Sequence, residues 1–270
     1  MNLLKISKNL LYFPDMKNLS IRVHIFTLFI FLLLFKTADG SDGNYTFLWG
    51  GFSTSLRGRS AAQTHNTARA ARDLEGAIIP PGGTFSFNDH VGSRDRDKGY
   101  VFAPMINKSG NLEDTPGGGI CQLATTIYNA ALYAGLKIVE RHPHSRAVFY
   151  VPPGRDATIA TWRKDLKLRN PFTVPVMLRI SITDARLTAG FWSIENKPFQ
   201  VEIRSDCLSI KPETVGARSV RLADVHSQNG GMGFSVVTRR LIRMDNRVEE
   251  QILSRDFYPP PTRILAGVAP

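Results

Sequence analysis

Residues 114–135 read DTPGGGICQLATTIYNAALYAG. From Ile120 onward, Ile120, Leu123, Ile127, Ala131 and Ala134 recur at spacings of three and four, the period of one helical face, and Gly135 follows as a stop signal. Gly117, Gly118 and Gly119 allow a sharp turn into that helix and a close approach of other backbone. Asp114, Thr115 or the glycines themselves are the candidate caps. Cys121 thus falls in the first turn, where unpaired N–H groups and the positive end of the macrodipole stabilise negative charge. A thiol placed there loses its proton more readily. The N–H groups around Gly118 and Gly119 are also candidates to steady an oxyanion as a carbonyl is attacked. Two other readings stay open for Cys121: a packed residue, since free cysteine is often buried, and a disulfide with Cys207, the second cysteine of the chain. No Gly-Lys-Ser/Thr follows the glycines, so this is not a phosphate loop.

A reactive cysteine needs a base. Candidates lie in VERHPHSRAVFYVPPGRDAT, residues 139–158. His142 and His144 are two apart and would share a face of an extended strand. Either imidazole can take the thiol proton and later protonate a leaving amine. Glu140 or Asp156 can orient the histidine by accepting its other N–H. Arg155 is a candidate to hold a substrate carboxylate through parallel hydrogen bonds. The competing readings are a histidine bonded only to local backbone, and a His-x-His pair joined with Cys121 on zinc. The latter lacks an obvious fourth ligand, and neither a metal nor another cofactor is expected. His65, His90 and His226 stand alone on polar stretches and read as surface. Asp95 and Asp97 alternate with Arg94, Arg96 and Lys98, which reads as a solvated charged turn.

Outward from this centre, SAAQTHNTARAARDLEG predicts a helix opened by Ser60 and stopped by Gly76. PPGGTFSFNDHVG predicts turn, strand and loop, with Phe85 and Phe87 on one face. Residues 92–116 are polar and turn-rich and predict a long ordered loop. Beyond the central helix, LKIVE, AVFYV, ATIATW, VPVMLRISI, LTAGFWSI and PFQVEI predict strands. GFSVVTRRLIR and RVEEQILSRDF predict a hairpin turning across Met244–Asn246. No βα alternation appears. The expected class is α+β: two helices packed on a mostly antiparallel sheet, with a β-rich C-terminal extension.

At the N-terminus, Ile25–Phe35 is an eleven-residue apolar run interrupted only by Thr27. It is short for a bilayer span, which needs about 20 residues, and suits the core of a signal peptide. Lys17 and Arg22 precede it, Ala38 and Gly40 fit a small–x–small cleavage site, and Met16 is an alternative start. Export to a periplasm or cell-wall space is expected, with a membrane anchor through Ile25–Phe35 as the alternative. No cysteine near the cleavage site indicates a lipid anchor. The formal net charge is +11; residues 1–40 carry five Lys/Arg against two Asp/Glu, so +8 remains beyond them. A basic exported protein is attracted to anionic cell-wall polymers or lipid head groups. Nucleic acid is not expected, because no recognition helix or aromatic–basic stacking motif is present.

TPGGGICQLATTIYNAALYAGLKIVERHPHSRAVFYVPPGRDATIA closely resembles the signature of the VanW family, bacterial envelope proteins first met beside glycopeptide-resistance genes. FSTS, HNTARAARDLEGAIIPPGGTFSFNDHVG, GYVFAPMI and DLKLRNPFTVPVMLRIS resemble the same domain in order and spacing. The resemblance runs from Phe52 to Ile182. It implies the family domain over 52–182; the residues around it read as a signal peptide over 1–40, a linker over 41–51, a β-rich extension over 183–257 and a Pro-rich tail over 258–270. Some members are L,D-transpeptidases whose nucleophile is the cysteine of the Gly-Gly-Gly-Ile-Cys-Gln stretch. By resemblance that residue is Cys121, Gln122 joins Gly118 and Gly119 in the turn, and His142 and His144 are the histidines of the His-Pro-His-Ser stretch. The implied partners are peptidoglycan stem peptides, cross-linked through a thioester. The Ser/Thr-His-Gly-Cys signature of the commoner L,D-transpeptidase fold is absent, and no repeated peptidoglycan-binding module precedes the domain. The alternative is a non-catalytic peptidoglycan-binding or glycopeptide-resistance accessory module.

Overall fold

A computed structural model describes residues 44–106, 112–211, 214–216, 233–260 and 263–265. The leader expected around Ile25–Phe35, His226 and the last residues of the tail lie outside them. Among the described residues, no helix is long and apolar enough to cross a membrane.

The architecture is α+β. In chain order it comprises β1 (Phe47–Ser55), α1 (Ala61–Leu74), β2 (Ile78–Ile79), β3 (Thr84–Ser86), α2 (Phe87–Val91), a 3-10 turn (Arg96–Lys98), β4 (Phe102–Ile106), β5 (Leu112–Pro116), α3 (Ile120–Ala134), β6 (Lys137–Glu140) and β7 (Lys167–Arg169). Then come β8 (Val176–Ile182), β9 (Arg186–Ser193), β10 (Gln200–Ile210), β11 (Thr214–Gly216), β12 (Gly233–Met244), β13 (Arg247–Tyr258) and β14 (Arg263–Leu265). One sheet runs β1-β9-β8-β2, a second β3-β7-β6 and a third β10-β12-β13, all antiparallel; β11 and β14 pair in parallel. The boundary expected at residue 182 falls between β8 and β9, and β9 lies between β8 and β1 in the same sheet.

Helix α3 is the centre of this arrangement. Its apolar stripe is buried, and so are Gln122, Thr125, Thr126 and Asn129. A buried polar side chain must find a partner, and these find them on two sides. Gln122 donates to Thr54 Oγ1 (2.9 Å) and to the Ser55 carbonyl (2.8 Å), and Thr126 Oγ1 lies 2.9 Å from Thr54 Oγ1. These bonds clamp the helix to β1. At the tightest crossing, a Cβ on Gly50 would sit 2.1 Å from the Ala134 nitrogen, so only glycine fits. On the other side Thr125 Oγ1 donates to the Ala157 carbonyl (3.1 Å) and accepts from the Ala157 N–H (2.9 Å), while Asn129 donates to the Arg155 carbonyl (2.7 Å). Cys121, Thr125 and Asn129 are four apart, so one face of α3 reads the segment 155–159.

That pairing explains a departure from expectation. AVFYV and ATIATW form no strands; only isolated bridges join His142 to Thr158 and Ala160 to Lys164. The main chain at 155 and 157 bonds helix side chains instead of a neighbouring strand. Residues 92–116 are not one loop either, since β4 and β5 pair as a hairpin. Phe85 and Phe87 are both buried as expected, but Phe87 opens a single helical turn capped by Ser86, whose Oγ accepts from the Asp89 N–H (3.0 Å). Helix α1 begins as predicted, with a reciprocal capping box between Ser60 and Gln63. The hairpin of β12 and β13 closes from Met244 to Arg247.

Candidate active site

The glycine collar delivers Cys121 to the start of α3 without a side-chain cap. Gly119 is the N-cap residue at φ 103°, and neither Asp114 nor Thr115 bonds the helix end. The reason for glycine here is crowding as much as turning. A Cβ on Gly118 would lie 2.2 Å from the Ala103 carbonyl oxygen of β4, and one on Gly119 would lie 2.8 Å from the Gln63 carbonyl oxygen of α1. The collar is wedged between α1 and the β4–β5 hairpin. The Ile120 N–H is taken by Gly117 (3.4 Å) and the Gln122 N–H by Gly119 (3.1 Å); that of Cys121 has no backbone acceptor among the described residues. An oxyanion beside the sulfur would find that donor free.

Cys121 is partly exposed and is not in a disulfide; Cys207 lies exposed and free on β10. The Cys121 sulfur sits 3.5 Å from Thr158 Oγ1 and 3.7 Å from the Ile159 carbonyl. The two histidines expected to share a face diverge around Pro143. His142 is half-exposed and its Nε2 bonds Glu140 Oε1 at 3.0 Å, the carboxylate that also pairs with Lys167. His144 is buried and faces the Cys121 sulfur. Its Nδ1–H donates to Asp156 Oδ2 at 2.6 Å, and its main-chain N–H donates to the same oxygen at 2.7 Å. With Nδ1 committed, Nε2 is the ring atom left for sulfur. The His-x-His zinc arrangement needed both rings at the thiol, and they are not there together.

Charge follows from this geometry. Burial pushes the Cys121 thiol up, but the hydrogen bond and charge of His144, with Ile159 and Thr158 behind them, lower it overall to about 7. Burial acts to lower His144, yet Asp156 and Cys121 raise it to about 9. His144 is therefore an imidazolium at neutral pH, while thiol and thiolate coexist at Cys121 near pH 7 and the thiolate dominates above it. Asp156 is buried, and despite that burial His144, Arg141 and Tyr258 hold its carboxyl below the usual range.

Two more cations flank the sulfur, and neither was singled out in the sequence. Arg59, half-buried before α1, donates from Nε to Gln122 Oε1 (2.6 Å) and stacks 4.9 Å from the ring centres of both Phe149 and Tyr150. Arg94 belongs to the stretch read as a solvated turn, but it is half-buried; it bonds Thr161 Oγ1 (2.9 Å) and Asn88, and it lies against Gly117. Both sense the charge of Cys121. Gln122, expected in the turn, anchors Arg59 and β1 through its side chain. Arg155 departs most from expectation: it is buried, its Nε bonds Asn129 Oδ1 (2.6 Å), and its guanidinium lies over Phe52 and Tyr133. It faces the far part of α3 and not the thiol. His65 and His90 are surface residues, as their contexts predicted.

Residues 62–192 match the family described as VanW-like protein. Over 130 residues the chain is 42% identical to the uncharacterized protein YoaR of Bacillus subtilis (strain 168), covering 48% of this chain and 43% of that protein. Over 127 residues it is 32% identical to the vancomycin B-type resistance protein VanW of Enterococcus faecalis (strain ATCC 700802 / V583), covering 45% of this chain and 46% of the relative. The chain thus spans less than half the length of either relative. No solved structure matches it. Cys121, His144 and Asp156 all lie inside the matched segment, so the residues of the site belong to the part of the chain that resembles the VanW family.

Proposed function

We propose that the chain is a cysteine acyltransferase acting on peptidoglycan stem peptides, an L,D-transpeptidase whose nucleophile is Cys121. The observation that carries this reading is a buried His144 ring held by Asp156 at 2.6 Å and near enough to the partly exposed Cys121 sulfur, at a helix start, for each to shift the other's ionisation. A nucleophile, a base and an orienting carboxylate in that order are what acyl transfer requires.

In the first half-reaction the Cys121 thiolate attacks the carbonyl of the L-centred diamino acid joined to a terminal D-Ala. A C–S bond forms, and the oxygen takes the charge beside the Cys121 N–H. The C–N bond then breaks as His144 gives its Nε2 proton to the departing amine, leaving a thioester and a neutral imidazole. In the second, an amine of a neighbouring stem peptide attacks the thioester and yields its proton to His144, and the thiolate departs restored. Asp156 keeps Nδ1 protonated throughout, so the exchanged proton is always the one at Nε2. Export to the cell-wall space belongs to this reading, and so does attraction of the basic chain to anionic wall polymers.

The test is product analysis. Purified protein and its Cys121→Ser variant are incubated with tetrapeptide muropeptides, and the products are read by mass. Cross-linked dimers from the wild type alone support transfer. Shortened monomers alone mark a hydrolase instead. No change in either, with muropeptide binding retained, marks a non-catalytic binding module.

A further inference from the structure

The C-terminal sheet reaches the site from outside the family-matched segment. Asp156 is buried against Arg141, whose Nη2 lies 3.1 Å from Asp156 Oδ1 and whose Nε donates to the Asp156 carbonyl at 2.6 Å. A guanidinium so close should cancel the charge with which Asp156 holds His144. It does not stand alone, however. Arg141 Nη1 donates to both oxygens of Asp256 on β13, at 2.6 and 2.7 Å, and Ser254 Oγ donates to Asp256 Oδ2 at 2.8 Å. The side chains of Arg141, Asp156 and Asp256 are 4%, 1% and 5% exposed, so water screens these charges little.

We infer that Asp256 is a positioning residue for the Cys121–His144 pair: it neutralises Arg141, so that the charge of Asp156 remains to hold the His144 imidazolium. The inference takes Cys121 and His144 as a working pair but does not depend on any substrate. The arithmetic of charge supports it. Two carboxylates and the Cys121 thiolate face one guanidinium and one imidazolium; with Asp256 removed, Arg141 takes the charge of Asp156 and only the thiolate is left to hold the imidazolium. The other ionisable groups nearby do not supply a replacement. Tyr128 from α3 lies under Arg141 at 5.4 Å, Tyr258 from β13 donates to Asp156 and accepts from the Gly154 N–H (3.0 Å), and Tyr150 stands near the thiol. Burial pushes all three phenols up, and they stay neutral. Arg155, which Tyr128 senses, and Arg59, near the sulfur, add only positive charge.

The experiment follows the His144 ring by its Cε1–H resonance across pH in the full chain, in the wild type, Asp256→Asn, and Asp256→Asn combined with Arg141→Gln. Loss of one nearby charge should lower the His144 midpoint by about one pH unit in the single variant, a tenfold fall in the charged-to-neutral ratio. The double variant removes both charges and should return the midpoint to that of the wild type. A merely structural role predicts instead that the two losses accumulate. A folded Asp256→Asn chain with an unmoved midpoint overturns the inference. If Asp256→Asn does not fold, the double variant decides: folded with the wild-type midpoint it supports the inference, and unfolded or lowered it overturns it. No muropeptide enters the measurement, so absence of turnover would remove the acyltransferase and leave this result standing.

Discussion

His144 is held by a single carboxylate oxygen at two points, Asp156 Oδ2 accepting from the ring Nδ1–H at 2.6 Å and from the main-chain N–H at 2.7 Å. The double contact fixes both the tautomer of the ring and its position on the chain, which a ring bond alone would leave free to pivot. Because Asp156 is also tied to Arg141 and Tyr258, the imidazole stands on a frame anchored in β13. The consequences can be measured one at a time.

The two thiols of this chain provide an internal comparison. Cys121 is lowered to about 7 by His144 against its burial, whereas burial raises the exposed-strand thiol Cys207. Alkylation with iodoacetamide at pH 7, followed by peptide mass mapping, should therefore label Cys121 first although Cys207 is the more exposed. His144→Ala should reverse that order. Equal labelling of both thiols in the wild type would show that position, not ionisation, governs reactivity.

Turnover by the proposed acyl transfer should show a bell-shaped dependence on pH. Below about 7 the Cys121 thiolate is protonated and the nucleophile is lost; above about 9 His144 loses the proton it must give to the leaving amine. The two limbs belong to the pair and not to either residue singly. The measurement is kcat/KM from pH 5 to 10, and a profile that rises without an alkaline limb would exclude His144 as the acid.

Neighbouring histidines should behave differently. Under the proposed acyl transfer, His144→Ala removes the base and should reduce kcat by about 100- to 10,000-fold. His142→Ala removes a half-exposed ring bonded to Glu140, so activity should stay within about twofold and stability within about 1 kcal/mol. A comparable loss in both variants would mean that the two rings share the work.

This split marks where the sequence stops being informative. The period of α3, the capping box at Ser60 and the β12–β13 hairpin are local, and local chemistry is written in adjacent residues. The His-Pro-His spacing is local too, yet the two rings take different partners, because the pairing of 155–159 with α3 sets Asp156 beside His144 while Glu140 takes His142. Asp156 was a candidate beside Glu140 but could not be separated from it, since each in fact orients one histidine. Arg59, Asp256 and Tyr258 carried no signal at all. Asp256 and Tyr258 stand more than 100 positions from Arg141 and Asp156, the site residues they bond, and only the packing of β13 brings them near. The glycine collar was visible, but its cause, the carbonyls of Ala103 and Gln63 pressing on it, was not.

Gly50→Ala tests the crossing of β1 over α3. The added Cβ meets backbone atoms at 2.1 to 2.6 Å, and backbone cannot turn aside as a side chain can. Overpacking at this severity should cost about 3 kcal/mol, a fall of about 10 °C in melting temperature for a domain of this size. A variant melting within about 2 °C of the wild type would mean that β1 slides freely along the helix.

Arg155 separates a structural cation from a substrate-binding one. Asn129, its Nε partner, lies eight positions beyond Cys121 on α3, about 12 Å along the axis at 1.5 Å per residue. Its guanidinium covers Phe52 and Tyr133 with ring-centre distances of 5.6 and 5.4 Å. Arg155→Lys keeps the charge but loses the planar stacking and the Nε bond, so it should cost about 1–3 kcal/mol in urea unfolding. A carboxylate clamp would show the opposite pattern: KM raised at least tenfold with stability unchanged. Because the guanidinium sits at the far part of the helix, the expected result is lowered stability with KM unchanged, and the cationic contacts available to a substrate at the thiol are then those of Arg59 and Arg94.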